Sequence, residues 1–184
     1  MIRYALFETA IGWAGLAWAD QGLVGVYLPE ADRETTRRGF LRRFPDAAEA
    51  EPTTMVEAAI AGIRDLLAGA PNALLDVPID IARAPAFNAR VYEIARAIPP
   101  GETLTYGEVA EKLGDKRQAR QVGAALGQNP WPIVVPCHRV TAAGGKLGGF
   151  SARGGVDTKV KLLAIEGAAV LQPPPRVAQP SLFD

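Results

Sequence analysis

The sequence predicts an α+β protein of the broad α/β class, with a strand-rich first domain and a mostly helical second one. Three short segments of aromatic and aliphatic residues, separated by turn residues, occupy the first 28 positions. From about residue 85, apolar residues instead recur at helical spacing. The 184 residues, 48% hydrophobic and 22% charged, suit one large or two small soluble domains. We therefore expect domains at 1–82 and 85–167, followed by a flexible, proline-rich tail at 168–184.

The first domain opens with three predicted strands, at residues 2–8, 13–19 and 23–28. Ile11-Gly12 and Asp20-Gln21-Gly22 supply turn residues between them. Short turns of this kind favour an antiparallel meander.

Helices follow the meander. A charged segment at 32–44 keeps its large apolar residues on one side, as a surface helix does. A capping box at Thr54-x-x-Glu57 predicts a second helix, and residues 77–81 favour a short strand. This domain carries no catalytic constellation, and we interpret its carboxylates as solvated.

The second domain is built from predicted helices at 87–98 and 158–166 and from a compact pair between them. Two capping boxes, Thr105-x-x-Glu108 and Asp115-x-x-Gln118, mark the starts of that pair, with Gly114 as the terminator of its first helix. Such a pair favours a helix-turn-helix, and an ordinary helical hairpin is the alternative.

The second helix of the pair has an unusual composition. Lys116, Arg117 and Arg120 crowd its start, whereas Gly123 and Ala124 leave its middle nearly bare. Glycine destabilises a helix interior by about 1 kcal/mol relative to alanine, so Gly123 indicates close approach to a neighbour. That neighbour is either another helix or the narrow groove of a nucleic acid, where an arginine can reach the base stack.

Charge is distributed unevenly although the net charge is zero. Residues 1–84 carry eight Lys/Arg against twelve Asp/Glu, and residues 85–167 carry eleven against seven. The basic second half suits contacts with phosphates.

The only cysteine and the only histidine are adjacent, at Cys137 and His138. A thiol is nucleophilic as the thiolate, which a nearby base or positive charge promotes, and here the imidazole and Arg139 follow directly. The alternative is a buried structural cysteine beside a surface histidine. A proline-bounded apolar segment that ends in polar residues is a poor design for core filling, which favours the reactive interpretation. Because adjacent side chains do not face one another, we expect a bridging water, and one of several carboxylates would orient the histidine.

The same counts exclude several classes of site. One cysteine excludes an internal disulfide, and with one histidine it cannot supply the three or four ligands of a zinc site, so we predict no metal. The glycine-rich segment at 144–155 lacks a phosphate-loop pattern, so we interpret it as a flexible lid and predict no cofactor. Without a signal-like or bilayer-length apolar segment, we expect a cytoplasmic protein with no membrane partner.

Asn129-Pro130 followed by Pro136-Cys137-His138-Arg139-Val140 resembles the active-site signature of the O6-alkylguanine-DNA alkyltransferases, also called methylated-DNA–protein-cysteine methyltransferases. The resemblance covers residues 85–167 strongly and 1–82 loosely. It implies an RNase H-like first domain and a winged-helix-like second domain with a helix-turn-helix. Some members carry a structural zinc, and this chain lacks the ligands for one.

The resemblance also implies roles for individual residues. Among the carboxylates it points to Glu166, which gives a relay from Glu166 through His138 and a water to Cys137, and it makes Asn129 the brace of the active-site turn. It implies catalytic roles for Cys137, His138, Glu166, Asn129 and Tyr106. It implies DNA contacts for Arg120, which would fill the place of the flipped base, and for Tyr106, Gln121, Gly123, Ala124, Lys116 and Arg117. It implies a substrate pocket lined by Tyr106, Trp131, Val140, Phe150 and Ser151, with backbone amides of Val140 and Ser151 at the edge of the guanine.

The implied activity is irreversible transfer of an alkyl group from O6-alkylguanine in duplex DNA to Cys137, once per molecule, after the base is flipped through the minor groove. The sequence leaves open whether larger adducts or O4-alkylthymine are also substrates. It departs from the family in three places. Gly127-Gln128 replaces a positive residue of some members, Trp131 is bulkier than the usual aliphatic, and the segment 151–155 is about two residues longer.

Three alternatives remain at this stage. A Cys-His hydrolase would turn over many times, and a generic helix-turn-helix regulator would leave Cys137-His138 without a purpose. A lesion-sensing protein of the same fold would have another residue, typically tryptophan, in place of the cysteine.

The end of the tail suggests a partner besides DNA. Gln179-Pro180-Ser181-Leu182-Phe183 resembles the pentapeptide that binds the bacterial sliding clamp, through Gln179, Leu182 and Phe183. The alternative is a chance apolar end to a disordered tail. We expect the protein itself to be a monomer.

Overall fold

Three antiparallel strands open the chain, as predicted, in a computed structural model that describes residues 1–152 and 154–169. Gly12 and Gly22 form the two turns with φ of +124° and +130°, a conformation that L side chains rarely adopt. A two-residue fourth strand, too short to show periodicity in the sequence, pairs parallel to the first, so the sheet order is β3-β2-β1-β4. The strands are β1 (Arg3–Thr9), β2 (Gly12–Ala19), β3 (Gly22–Tyr27) and β4 (Ala48–Glu49).

The sheet is covered on both faces. Its residues alternate between a small cluster around Phe40 of α1 (Arg33–Arg43) and the main core, which includes α2 (Thr54–Leu67). Gly15 and Gly25 allow the close approach of α1, because a Cβ at either position would collide with a phenylalanine of this helix and its C-cap, Phe40 or Phe44.

Two predicted features of the first half are wrong. The N-cap of α2 is Thr53, whose side chain makes no capping bond, so Thr54-x-x-Glu57 is not a capping box. Residues 77–81 form no strand. Ile79 makes only a single β-bridge to Leu23. In this bridge Leu23 N donates to Pro78 O, and Leu23 O accepts from Asp80 N. The chain then turns into a 3-10 helix.

Helices dominate the second half, as predicted. The capping box at the start of α4 is confirmed, since Glu108 N donates to Thr105 Oγ1 at 3.2 Å and Thr105 N to Glu108 Oε2 at 2.6 Å. Asp115, by contrast, caps a 3-10 turn that precedes α5, not α5 itself. The elements are α3 (Ala86–Arg96), β5 (Leu104–Thr105), α4 (Tyr106–Lys112), α5 (Ala119–Gly127), β6 (Val140–Thr141) and α6 (Gly155–Ile165).

One segment ties the two halves together. Residues 131–140 are all buried, and they lie against both the sheet and the helices. Val26 N donates to Pro130 O at 2.9 Å, and Trp131 Nε1 donates to Leu23 O at 2.7 Å. The sheet therefore fixes the position of the chain that leads into Cys137. No helix in the described part of the chain is both long and apolar enough to span a bilayer.

Candidate active site

Asn129 braces the turn that leads to the site, in the place expected for it. Its side-chain Nδ2 donates to Val135 O at 2.8 Å, and its Oδ1 accepts from Trp131 N at 2.9 Å. Within this turn Ile133 has a φ of 76°, which a β-branched residue rarely adopts. Ile133 is buried, so packing and these hydrogen bonds hold the strained turn in place.

Cys137 lies in a 3-10 turn (Cys137–Arg139) that runs into β6, not in a strand. It is 9% exposed, and its exposed part belongs to a cavity of about 520 Å³. The sulfur is therefore within reach of a small group placed in that cavity. The cavity is lined by Tyr106, Ala119, Arg120, Gly123, Leu126, Gly127, Cys137, Gly149, Phe150 and Ser151.

A buried ionic cluster lies behind the cysteine. His138 Nε2 is 2.8 Å from Glu166 Oε1, at the C-cap of α6, as the resemblance implied. Arg139 donates two hydrogen bonds to the same carboxylate, from Nε and Nη2, both at 2.9 Å. It also donates to Ile98 O. The Arg139 guanidinium is thus committed to Glu166 and does not serve Cys137 as the sequence suggested.

The pKa shifts of this cluster define its protonation. Burial would raise the pKa of Glu166, but hydrogen bonds from His138 and Arg139 outweigh it and lower the pKa to about 2. Burial lowers the pKa of His138, against the opposing effect of Glu166. A neutral imidazole beside an ionised carboxylate carries its proton on Nε2. Its Nδ1 then presents a lone pair, and Nδ1 has no hydrogen-bond partner among the described residues.

Burial raises the pKa of the Cys137 thiol, so the resting site holds a thiol and not a thiolate. The Asn129 side chain and the charge of Lys159 act in the opposite direction. Since no hydrogen bond joins the sulfur to Nδ1, proton transfer between them needs an intermediary, as expected from their adjacency.

Lys159 is the functional residue that the sequence analysis missed. It is fully buried on α6, and its Nζ donates to Val140 O at 2.6 Å and to Gly149 O at 3.4 Å. Nζ also lies 5.7 Å from the centroid of the Tyr106 ring. A lysine four residues into an amphipathic helix normally faces solvent, so nothing in the sequence distinguished Lys159 from Lys161.

Tyr106 and the glycine-rich loop (residues 144–152) form one wall of the cavity. Tyr106 Oη donates to Gly149 O at 3.4 Å. A Cβ on Gly148, which has a φ of +72°, would lie 2.8 Å from the Tyr106 ring, so glycine allows the loop to pack on the tyrosine. Phe150 and Ser151 line the cavity, as predicted.

The predicted DNA-contacting residues form an exposed surface on and before α5. The exposed members are Lys116, Arg117, Arg120, Gln121 and Ala124.

Gly123 is half-buried on this surface. A Cβ there would meet only the Tyr106 ring, at an ordinary 3.8 Å. Among the described residues, no neighbouring helix therefore requires glycine at this position.

Two predicted pocket residues lie elsewhere. Trp131 is fully buried against Tyr92, with ring centroids 5.9 Å apart, because it packs the interface between the two halves. Val140 is also fully buried, and its amide is committed to Cys137 O in the 3-10 turn, so it cannot hold the edge of a base. Instead Ala119, Leu126, Gly127 and Gly149 line the cavity, and the first three follow the helical spacing of Gly123, a signal that the sequence did contain.

Comparisons with known proteins converge on one family. The family described as "6-O-methylguanine DNA methyltransferase, DNA binding domain" matches residues 86–168. The methylated-DNA–protein-cysteine methyltransferase of Mycolicibacterium paratuberculosis is 38% identical over 169 residues, which is 90% of this chain and 93% of that protein. The crystal structure of Mycobacterium tuberculosis O6-methylguanine methyltransferase is similar with a TM-score of 0.73 and 33% identity, covering 100% of both chains. A structure of Mycobacterium tuberculosis OGT in complex with DNA has a TM-score of 0.71 and 32% identity, covering 89% of this chain and 92% of that one.

Proposed function

Because this chain belongs to the family of methylated-DNA–protein-cysteine methyltransferases, we propose that it repairs DNA by moving the alkyl group of O6-alkylguanine onto the sulfur of Cys137. The observation that carries the proposal is the position of the only cysteine, at a cavity between the exposed face of α5 and the buried His138–Glu166 pair. A thiol in a pocket, backed by an oriented base, is the arrangement that nucleophilic catalysis needs.

His138 is the base. A water between Nδ1 and the sulfur carries the thiol proton to the neutral imidazole, which leaves a thiolate and an imidazolium. Glu166 accepts the hydrogen bond from Nε2 and stabilises the imidazolium, and Arg139 keeps this carboxylate ionised and oriented.

The thiolate attacks the alkyl carbon in line with the bond to O6. The S–C bond forms as the C–O6 bond breaks, and the electron pair of the C–O6 bond passes into the purine. Tyr106, which burial keeps protonated by raising its pKa, donates its phenolic proton to N3. The phenolate then recovers a proton from the imidazolium through solvent, so the thiol proton ends on guanine.

The target base has to leave the stack to reach the cavity, at a cost of a few kcal/mol. Small residues on α5 allow the helix to approach the minor groove, and Arg120, at the mouth of the cavity, fills the vacated space. Lys116 and Arg117 contact phosphates, which fix the register of the helix on the duplex.

A thioether on Cys137 has no route back to the thiol through these residues, so each molecule reacts once. A titration of methylated duplex DNA, in excess over protein, tests this. We expect the yield of repaired guanine to stop at one equivalent per protein molecule. Continued product formation would indicate a turning-over enzyme such as a hydrolase, and binding without any product would indicate a lesion sensor.

We also infer an RNase H-like first domain at 1–82 and a winged-helix-like second domain at 85–167. The four-stranded sheet with helices on both faces supports the first assignment. The α4–α5 pair beside the parallel β5–β6 ladder supports the second.

The tail supplies a further proposal, docking on a sliding clamp through Gln179, Leu182 and Phe183, which lie outside the described residues. Deletion of 179–184 would abolish clamp binding without changing transfer to Cys137, and unchanged clamp affinity would refute the proposal. A cytoplasmic monomer is the form in which we expect the protein to act.

A further inference from the structure

Lys159 is a buried cation that the reaction outlined above does not use. We propose that Lys159 is a positioning residue whose ammonium joins the carbonyl of Gly149 to that of Val140, which holds the glycine-rich loop over the cavity and keeps a positive charge near Cys137. The inference rests on the proposed alkyl transfer, since it concerns the same cavity.

Lys159 contacts three parts of the site, which are the turn that carries Cys137, the glycine-rich loop and Tyr106. Val140 O belongs to the turn that carries Cys137, and Gly149 O belongs to the loop that lines the cavity. Gly149 O also accepts from Tyr106 Oη, so the same carbonyl joins Lys159 to the proposed proton donor. Because Lys159 Nζ donates to both carbonyl oxygens, it holds the loop against the turn. Without the ammonium, the loop would separate from the turn.

The charge has a second effect. Lys159 is fully buried, where an unpaired cation is costly, and its described hydrogen bonds go to neutral carbonyls. A thiolate on Cys137 would be the counter-charge that this ammonium lacks, and the charge of Lys159 accordingly lowers the pKa of the thiol. The lysine therefore favours the step in which the thiol loses its proton.

Titration of Lys159 gives the inference a signature in pH. Burial lowers the pKa of Lys159 to about 8, although Cys137 acts in the opposite direction. Among the described residues, the other titratable groups that interact with it are Cys137, His138 and Tyr106. Burial lowers the pKa of His138 and raises that of Tyr106, so neither changes protonation near pH 8. Transfer should therefore rise as His138 becomes the neutral base, below its ordinary pKa of 6.5, and then fall above about pH 8 as the ammonium is lost.

The test is the rate constant of alkyl transfer from pH 6 to 10 in Lys159→Met, Lys159→Arg and the matched control Lys161→Met, an exposed lysine of the same helix. We expect Lys159→Met to be slower by roughly tenfold to a hundredfold at pH 7, the effect of one lost charged hydrogen bond. Its rate should show no fall at alkaline pH, because the variant has no ammonium to lose. Lys159→Arg should recover part of the rate and also lack the fall, because arginine stays charged. Lys161→Met should match the wild type.

Two further measurements separate positioning from a general loss of folding. Since Cys137 is the only cysteine, the pH dependence of iodoacetamide labelling reports its thiol alone, and Lys159→Met should shift it to higher pH. Hydrogen exchange of residues 144–152 should be faster in Lys159→Met, with that of α2 unchanged. An unchanged alkaline fall, labelling profile or loop exchange in Lys159→Met would overturn the inference. A wild-type protein that leaves Cys137 unalkylated would instead overturn the proposed function.

Discussion

The ionic cluster of His138, Arg139 and Glu166 and the exposed face of α5 serve the same reaction in different environments. In the cluster, side-chain exposure is 1%, 0% and 2%, and every charge has a partner at hydrogen-bond distance. On the α5 face, Arg120 is exposed, and the charged side chain of Arg117 is 91% exposed. The chemical groups are thus buried and fixed, whereas the groups proposed to hold DNA are solvated.

The difference shows how each region tolerates change. A buried charge that loses its partner keeps its full desolvation penalty, so substitutions in the cluster should affect stability and chemistry together. An exposed charge is screened and well hydrated, so substitutions on α5 should affect DNA binding alone. Reaction with the free base O6-methylguanine, which needs no duplex, separates the two.

The largest of these effects is expected for Glu166→Gln. This change leaves Arg139 buried without a counter-charge, at a cost of about 3–5 kcal/mol of unfolding free energy, and removes the group that orients His138. Transfer from both methylated DNA and the free base should slow on the order of a hundredfold or more. Urea unfolding and single-turnover kinetics measure the two effects. Glu111→Gln, at an exposed position of α4, is the control and should change neither.

Acid should weaken the cluster in a defined window. The pKa of Glu166 is lowered from 4.5 to about 2 in the folded state, so its contribution is present above pH 4.5 and is lost as the pH falls towards 2. The pKa of His138 is also lowered by burial, so stability begins to fall below its ordinary value of 6.5. We expect the free energy of unfolding to lose about 3 kcal/mol through Glu166 alone. Urea midpoints between pH 7 and 3 should show about 2 kcal/mol of this fall, because Glu166 is still largely ionised in the folded protein at pH 3, and a wild-type profile as flat as that of Glu166→Gln below pH 4.5 would contradict it.

A smaller and more selective effect is expected for Arg120→Ala. Loss of the side chain that fills the vacated stack should slow repair of duplex DNA by roughly tenfold to a hundredfold, part of the few kcal/mol that extrusion costs. Reaction with the free base should stay at the wild-type rate, because Arg120 lies at the mouth of the cavity and not at the sulfur. Arg38→Ala, an exposed arginine of α1, is the control. Equal losses on duplex and free base would remove the distinction between the two regions.

The smallest effects are expected in the 3-10 turn that precedes α5. Lys116→Ala should lower the salt dependence of DNA binding by about one unit of slope, the contribution of one phosphate contact. Arg117→Ala should lower it by less, because Arg117 already pairs with Asp115 at 3.0 Å. DNA affinities measured between about 50 and 200 mM salt, where the release of counterions has a large effect, show which of the two variants has the smaller slope. A larger change for Arg117 would show that this ion pair opens on DNA.

Local signals in the sequence were sufficient for much of the fold. The three strands were placed within one or two residues because turn glycines delimit them, and Thr105-x-x-Glu108 marked the start of α4. The strand at 77–81 failed because a single bridge to Leu23 carries no periodicity. The predicted capping box at Thr54 was wrong because the helix begins one residue earlier than the motif requires, with Thr53 as its N-cap.

At the site, adjacency in sequence identified Cys137 and His138, and the family resemblance identified Glu166, which now lies 2.8 Å from the imidazole. Trp131 was misplaced because an apolar aromatic next to a motif looks the same whether it lines a pocket or an interface. Lys159 was missed because its burial depends on a contact with the loop around Gly149. The residue pattern of α6 itself does not indicate that contact. Contacts of this kind arise only when the whole chain is folded.

The most direct test is the intact mass of the protein after incubation with duplex DNA that contains O6-methylguanine, followed by peptide mapping. We expect the mass to increase by about 14 Da, one methylene, on the peptide that contains Cys137, and Cys137→Ala to show no increase. An unmodified wild-type mass after complete loss of the lesion, or an increase located on another residue, would contradict the assignment of Cys137 as the acceptor.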